Sequence, residues 1–178
     1  MFKLFDLSKS DLIRYAWETC ISVFAIQYIT NKIFRLQVAF CFEQTDGVPR
    51  LVSHFLRMIN RNESIAKDTK FGYGLYIGHN RLVVVNPTAA IEDAIKLSRF
   101  ATIGSDEGHA TKTWNNVYAD LSTCVVENMK IGNTVAIKEG TVVPKDIPSA
   151  ATAAGNYCRG LNYCRPVRFI VNRWTIKS

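Results

Sequence analysis

The stretch FGYGLYIGHNRLVVVNPTAAIEDAIKLSRF, residues 71–100, carries the fold decision. Its first half is apolar and aromatic, interrupted by Gly72, Gly74 and Gly78, and breaks at His79-Asn80. Two short β-prone runs either side of such a break read as a hairpin, Phe71–Gly78 against Arg81–Val85. Asn86-Pro87 then reads as a helix start. Ala90, Ile91, Ala94, Ile95 and Leu97 fall at helical spacing and predict a helix over 88–100. The glycines lack the spacing of a dinucleotide fingerprint, and no Walker Lys-Ser/Thr follows them; a twisted or bulged strand accounts for them.

Working outward, Phe34, Leu36, Val38, Phe40 and Phe42 alternate with Arg35, Gln37, Ala39, Cys41 and Glu43. Period-two alternation predicts a half-buried strand. The β-branched run from Thr19 supplies its partner, with Thr30-Asn31-Lys32 as the turn, although Ile13, Trp17, Ile21, Phe24 and Tyr28 also make a helical stripe. A short N-terminal helix is predicted from Ser8 and Asp11. Asp46–Pro49 opens another helix, with Leu51, Val52, Phe55, Leu56 and Ile59 as its apolar face. Further strands are expected over 116–126, 134–138, 141–143 and 165–176, with a short Ala-rich helix between Asp146 and Gly155. Strands with interspersed helices and few βαβ units predict an α+β fold: a mostly antiparallel sheet with two or three packed helices, in one compact domain over 1–178.

Charge is uneven. Residues 47–85 hold six Lys/Arg against two acids, and 147–178 hold five against none, within a net charge of +7. Concentrated positive potential points to an anionic partner. On the helix at 49–61, Arg50, His54, Arg57 and Arg61 stack as one stripe, which Lys67, Lys70 and Arg81 extend. A second basic block comprises Arg159, Arg165, Arg168, Arg173 and Lys177, interleaved with Tyr157, Tyr163, Phe169 and Trp174. These twelve basic residues are the candidate anion, nucleoprotein or membrane contacts.

Enzyme chemistry has little to stand on at this level. His54, His79 and His109 lack partners at metal-ligand spacing, and no HExxH or CxxC occurs. No metal, cofactor or catalytic residue is therefore expected. The five scattered cysteines suit free thiols in a reducing compartment. No secretory signal is visible at the N-terminus, and the apolar window 19–29 is too short to span a bilayer.

Three short strings carry a resemblance: Asn31-Lys32-Ile33-Phe34-Arg35, Val52-Ser53-His54 and Tyr76-Ile77-Gly78. Their order is similar to that in rhabdovirus matrix proteins. The resemblance implies a non-enzymatic structural protein of the virion that binds nucleocapsid or RNA, lies peripherally on acidic membrane lipids in the host cytoplasm, and self-assembles. Met1–Ser10 carries no Lys-rich tail, and Pro87-Thr88-Ala89-Ala90 lacks the last proline of a budding motif, which fits a compact plant-virus-like member. The alternatives are a basic nucleic-acid-binding regulatory or movement-type protein and a small Cys/His enzyme.

Overall fold

The computed structural model describes residues 2–43, 64–65, 69–78, 82–105, 115–126, 128–157 and 159–162. Three helices come first: α1 (Phe2–Ala16), α2 (Ile21–Thr30) and α3 (Lys32–Glu43). The predicted Thr19–Glu43 hairpin is thus a pair of helices. On α3 both alternating rows are buried: Phe34, Leu36, Val38 and Phe40, but also Ile33, Gln37, Ala39 and Cys41. A helix enclosed on nearly all sides loses the one-sided stripe by which helices are read, and its apolar row mimics a strand. Asn31 makes the break. Its Oδ1 accepts from the backbone N–H groups of Ile33 (3.0 Å) and Phe34 (3.2 Å), capping α3.

The described residues between Ser64 and Ala154 wind as a parallel β-solenoid, a left-handed β-helix. Among the described residues, thirteen short strands form its walls. One wall stacks β1 (Ser64–Ile65), β4 (Val84–Val85), β7 (Thr102–Ile103), β9 (Cys124–Val125) and β11 (Val142–Val143), all parallel. A second stacks β3 (Tyr76–Ile77), β6 (Lys96–Leu97), β8 (Tyr118–Ala119), β10 (Ala136–Ile137) and β12 (Thr152–Ala154). The antiparallel β13 (Arg159–Asn162) closes that wall against β12. The third wall holds β2 (Lys70–Phe71) with β5 (Ala90–Ile91), and a bridge between Ile131 and Ile147.

This overturns the α+β expectation. The core is written with a six-residue period: Ile65, Phe71 and Ile77; Val85, Ile91, Leu97 and Ile103; Ala119, Val125, Ile131, Ile137 and Val143 all point inward and are buried. A second buried residue precedes most of them by two positions, as in Thr69, Leu75, Val83, Ala89, Ile95, Ala101, Val117, Thr123, Val135 and Thr141. Each wall therefore alternates for only three residues before the chain turns a corner. The supposed hairpin at 71–85 and helix at 88–100 are successive walls of the solenoid, paired with segments one full coil away. The supposed Ala-rich helix before Gly155 is β12. The expected strand at 165–176 and helix at 49–61 lie outside the described residues.

Corners are turned by left-handed residues. Ala94, Asn116, Thr134 and Ala150 have φ between 56° and 63°, and Gly74 has 70°. Each sits three positions before an inward residue of the second wall. Along this corner a ladder of side-chain oxygens links coil to coil. Tyr73 N–H donates to Asp93 Oδ1 (2.8 Å) and Asp93 N–H to Asn115 Oδ1 (3.2 Å). Asn115 N–H donates to Asn133 Oδ1 (3.2 Å) and Asn133 N–H to Ser149 Oγ (2.9 Å). Gly72 fits beside this ladder because a Cβ there would stand 2.8 Å from the Glu92 carbonyl oxygen.

Candidate functional site

The helices dock on the exposed edge of the first coil. An edge strand presents unpaired N–H and C=O groups, which must find partners when covered. Side chains of α1 and α3 supply them. Gly74 N–H donates to Ser10 Oγ and Leu75 N–H to Asp11 Oδ1, both at 2.9 Å. Gln37 Nε2 donates to the Leu75 carbonyl at 2.8 Å. Ile77 N–H meets Tyr15 OH at 3.3 Å, and that hydroxyl donates to Gln37 Oε1. Burial pushes the Asp11 carboxyl up to about 8, outweighing its hydrogen bonds to Leu75 and Cys41 and the charge of Arg14. Cys41, which donates to Asp11 Oδ2, is likewise pushed up by burial.

This docking leaves a cavity of about 520 Å3 between the α2–α3 junction and β3. Tyr15, Gln27, Asn31, Lys32, Tyr76 and Ile77 are among its walls. The Tyr15 and Tyr76 rings lie 4.7 Å apart. Lys96, one coil on from Tyr76, lies between two rings: its Nζ is 5.5 Å from the Tyr76 centroid and 4.9 Å from that of Tyr118. Desolvation, then the nearby charge of Arg14, lowers the Lys96 pKa. Tyr118 donates to Asp120 Oδ1 at 2.7 Å, and burial with that bond raises its pKa to about 12. β3 leads into Gly78, whose N–H donates to the Leu97 carbonyl at 2.8 Å; His79 is the next residue in the chain.

Of the twelve basic residues singled out in the sequence, Lys70 lies exposed on β2 and Arg159 belongs to β13. Arg50, His54, Arg57, Arg61, Lys67, Arg81, Arg165, Arg168, Arg173 and Lys177 lie outside the described residues, as do His79 and His109. The cavity residues Tyr15, Gln27, Lys32 and Tyr76 carry no motif. The one sequence signal that leads toward them is the turn at Thr30-Asn31-Lys32, which marks the α2–α3 junction. Among the described residues no group of His, Cys, Asp and Glu could hold a metal ion, and Cys20, Cys41 and Cys124 are free thiols. No described helix is long and apolar enough to cross a membrane.

No family model matches the chain. It is 34% identical over 113 residues to the serine acetyltransferase of Synechococcus elongatus, a match covering 61% of this chain and 46% of that protein. It is 30% identical over 114 residues to a serine acetyltransferase of Helicobacter pylori, covering 61% and 66%. The chain thus spans less than half the length of the cyanobacterial relative. Among solved structures, a serine acetyltransferase in complex with CoA superposes with a TM-score of 0.72 at 19% identity, over 89% of this chain and 70% of that one. The soybean serine acetyltransferase complexed with serine gives 0.72 at 22% identity, over 90% and 70%. At this identity the structural matches establish the shared solenoid. Together these likenesses replace the rhabdovirus matrix reading and all that it implied: a non-enzymatic assembly role, nucleocapsid, RNA and acidic-lipid partners, and a place in the virion. The three strings behind that reading map onto α3, onto residues outside the described ones, and onto β3. The first and last are fragments of a helix and a solenoid wall, not of an antiparallel sheet.

Proposed function

We propose that this chain is an O-acetyltransferase of the serine acetyltransferase kind, moving an acetyl group from a CoA thioester to a hydroxyl acceptor. The observation that carries this reading is the 34% identity to a serine acetyltransferase over 113 residues, in a chain that folds as the same solenoid. The relatives' names make acetyl-CoA and serine the reference substrates.

The chemistry needs few parts. A hydroxyl oxygen attacks the thioester carbonyl while its proton passes to a base. The tetrahedral adduct then collapses, and the CoA sulfur leaves as a thiol after receiving a proton. A base near pKa 7 suits both transfers, which favours histidine. Of the three histidines, His79 follows Gly78 directly in the chain, two residues after Ile77, the last residue of β3. We assign it as the base. Asp11 and Tyr15 together fix the β3 edge that leads to it, through the hydrogen bonds to Leu75 and Ile77.

The test is thiol release from acetyl-CoA in the presence of serine and other hydroxyl compounds. His79→Gln is expected to lower turnover by roughly 10²–10⁴-fold, the range for loss of a general base, with the circular dichroism spectrum unchanged. Full activity in that variant removes His79 from the mechanism. No thiol release with any acceptor, in protein that is folded, removes the transferase reading.

A further inference from the structure

A second cavity, of about 340 Å3, lies among α1, the start of α2 and α3. Leu12, Phe24, Val38 and Phe42 are among its walls, as are Phe5 and Ile21. Leu12 and Val38 are buried, at 1% and 4% exposure, whereas Phe5 and Ile21, at 57% and 84%, stand toward solvent. The cavity thus runs from a buried apolar floor to an exposed rim. Lys9 belongs to the same walls. Its Nζ stands 4.2 Å from the Phe5 ring centroid, which puts an ammonium at the exposed end.

The helix beside it is short of packing. α2 is almost wholly apolar and carries no charged side chain, yet none of its residues is buried. Its Phe24 ring meets Phe34 edge-on at 5.3 Å, and the same ring and Ile21 face the cavity. Hydrocarbon seated there would give the helix further apolar contact. The volume is about twice the roughly 150 Å3 that encloses a benzene ring, which is room for a chain of roughly twelve carbons. The ammonium at the rim suits an anionic head, which a lysine binds as a point charge.

We infer that this cavity binds a single-chain amphiphile, its tail over Leu12 and Val38 and its anionic head at Lys9. The inference goes beyond the acetyl-transfer reading and does not depend on it. Carboxylate and phosphate heads share the required chemistry. α2 walls both cavities, since Gln27 and Thr30 line the one beside β3. A bound tail would therefore steady a helix that the two sites share.

The experiment measures binding of octanoate, decanoate, dodecanoate, hexadecanoate, dodecyl phosphate and dodecan-1-ol to the full chain by calorimetry, at concentrations below those at which they aggregate. Affinity is expected to rise roughly three- to fourfold per methylene up to dodecanoate, the equivalent of about 0.8 kcal/mol per buried CH2. From dodecanoate to hexadecanoate it should gain less than about tenfold in all, because the cavity is full. Dodecanoate or dodecyl phosphate should bind at least about tenfold tighter than dodecan-1-ol, and the tighter of the two names the head. Lys9→Glu should remove that advantage and leave dodecan-1-ol binding unmoved. Ile21→Asp, at an exposed position that folding tolerates, should weaken every chain. With dodecanoate bound, hydrogen exchange should slow at the α2 amides and stay unchanged at Lys96 and Tyr118. An anion affinity that Lys9→Glu leaves intact overturns the inference, as does affinity that climbs undiminished to hexadecanoate or exchange that slows only in the solenoid. Binding of no chain overturns it too, and light scattering then shows whether a second copy covers the site. Thiol release from acetyl-CoA is measured separately, so either reading can fail while the other stands.

Discussion

The Leu75 backbone N–H donates to Asp11 Oδ1 at 2.9 Å, across 64 residues of sequence, so a fully buried carboxyl on α1 holds the first coil of the solenoid. Burial raises its pKa from 3.8 to about 8. The native state therefore binds a proton that the unfolded chain has released between about pH 4 and pH 8. Stability is greatest below the unfolded pKa and falls as pH rises through the folded one. Asp11→Asn keeps an acceptor for Leu75 and removes the titration. Urea unfolding should show stability falling from about pH 5 to about pH 8 in the parent protein, and the fall should be absent or much smaller in the variant. Equal slopes would place the titrating group elsewhere.

The corner ladder gives a second expectation. Asp93 Oδ1 accepts from Tyr73 N–H at 2.8 Å, the first rung of the ladder. Asp93→Ala strands that donor at a half-buried position, at a cost of about 1 kcal/mol. Asp93→Asn retains an oxygen acceptor and should recover most of the loss. Denaturant midpoints of the three proteins decide the matter, since Asp93 is the side chain that serves that N–H among the described residues.

Ala94 sits at the same corner with φ 56°, where Gly74 stands in the coil before it. A Cβ in the left-handed region costs roughly 1–2 kcal/mol, partly offset because glycine loses more entropy on folding. Ala94→Gly should therefore be neutral or stabilising, by up to about 1 kcal/mol. The same change in a regular strand would destabilise. A clear loss of stability would mean that the alanine methyl, which is buried, contributes more by packing than it costs in strain.

Thr141 is wholly buried inside the solenoid, and its hydroxyl has no hydrogen-bond partner among the described residues. Replacing that hydroxyl by a methyl of similar shape removes a desolvation cost of roughly 1–3 kcal/mol. Thr141→Val should raise the melting temperature. If the melting temperature falls, a water bonded to the hydroxyl is the explanation to pursue.

The legible part of this fold was local, and the illegible part was its period. Leu75 and Ile77, Val83 and Val85, and Ile95 and Leu97 do alternate in burial, as β-patterning requires. Yet each run ends after three residues, and its partner is a full coil away. A parallel strand a whole coil distant leaves no turn signal between partners, so adjacent runs looked like a hairpin. Within a coil, Ile91, Ala94 and Ile95 stand at i, i+3 and i+4 and imitate a helix face, although Ala94 is a left-handed corner. The inward row Ala119, Val125, Ile131, Ile137 and Val143, at every sixth residue, was the signal that pointed to a solenoid. Fixed-period self-similarity is weak here because coil spacing varies: 20 residues from Tyr76 to Lys96, 22 from Lys96 to Tyr118 and 18 from Tyr118 to Ala136. The candidate site was less legible still. Lys32, Gln27 and Tyr76 come together only because α1 and α3 dock on the β3 edge, and no spacing within the sequence encodes that approach.

Phe40 tests the docking itself. It is 3% exposed on α3, and its ring lies 5.7 Å from that of Phe71, the inward residue of β2. The alternating row predicts its burial, as part of a strand; the structure keeps the burial and changes the element. Phe40→Ala should cost roughly 3–5 kcal/mol, the range for truncating a buried phenylalanine. The loss lies between the helices and the first coil, so it should reach the cavity walls that α2 and α3 contribute. Hydrogen exchange should then rise at Gly74, Leu75 and Ile77, whose N–H groups meet Ser10, Asp11 and Tyr15, before it rises at Lys96 and Tyr118, which donate to carbonyls of the neighbouring coil. Uniform acceleration across all of these amides would show that helices and solenoid unfold as one unit.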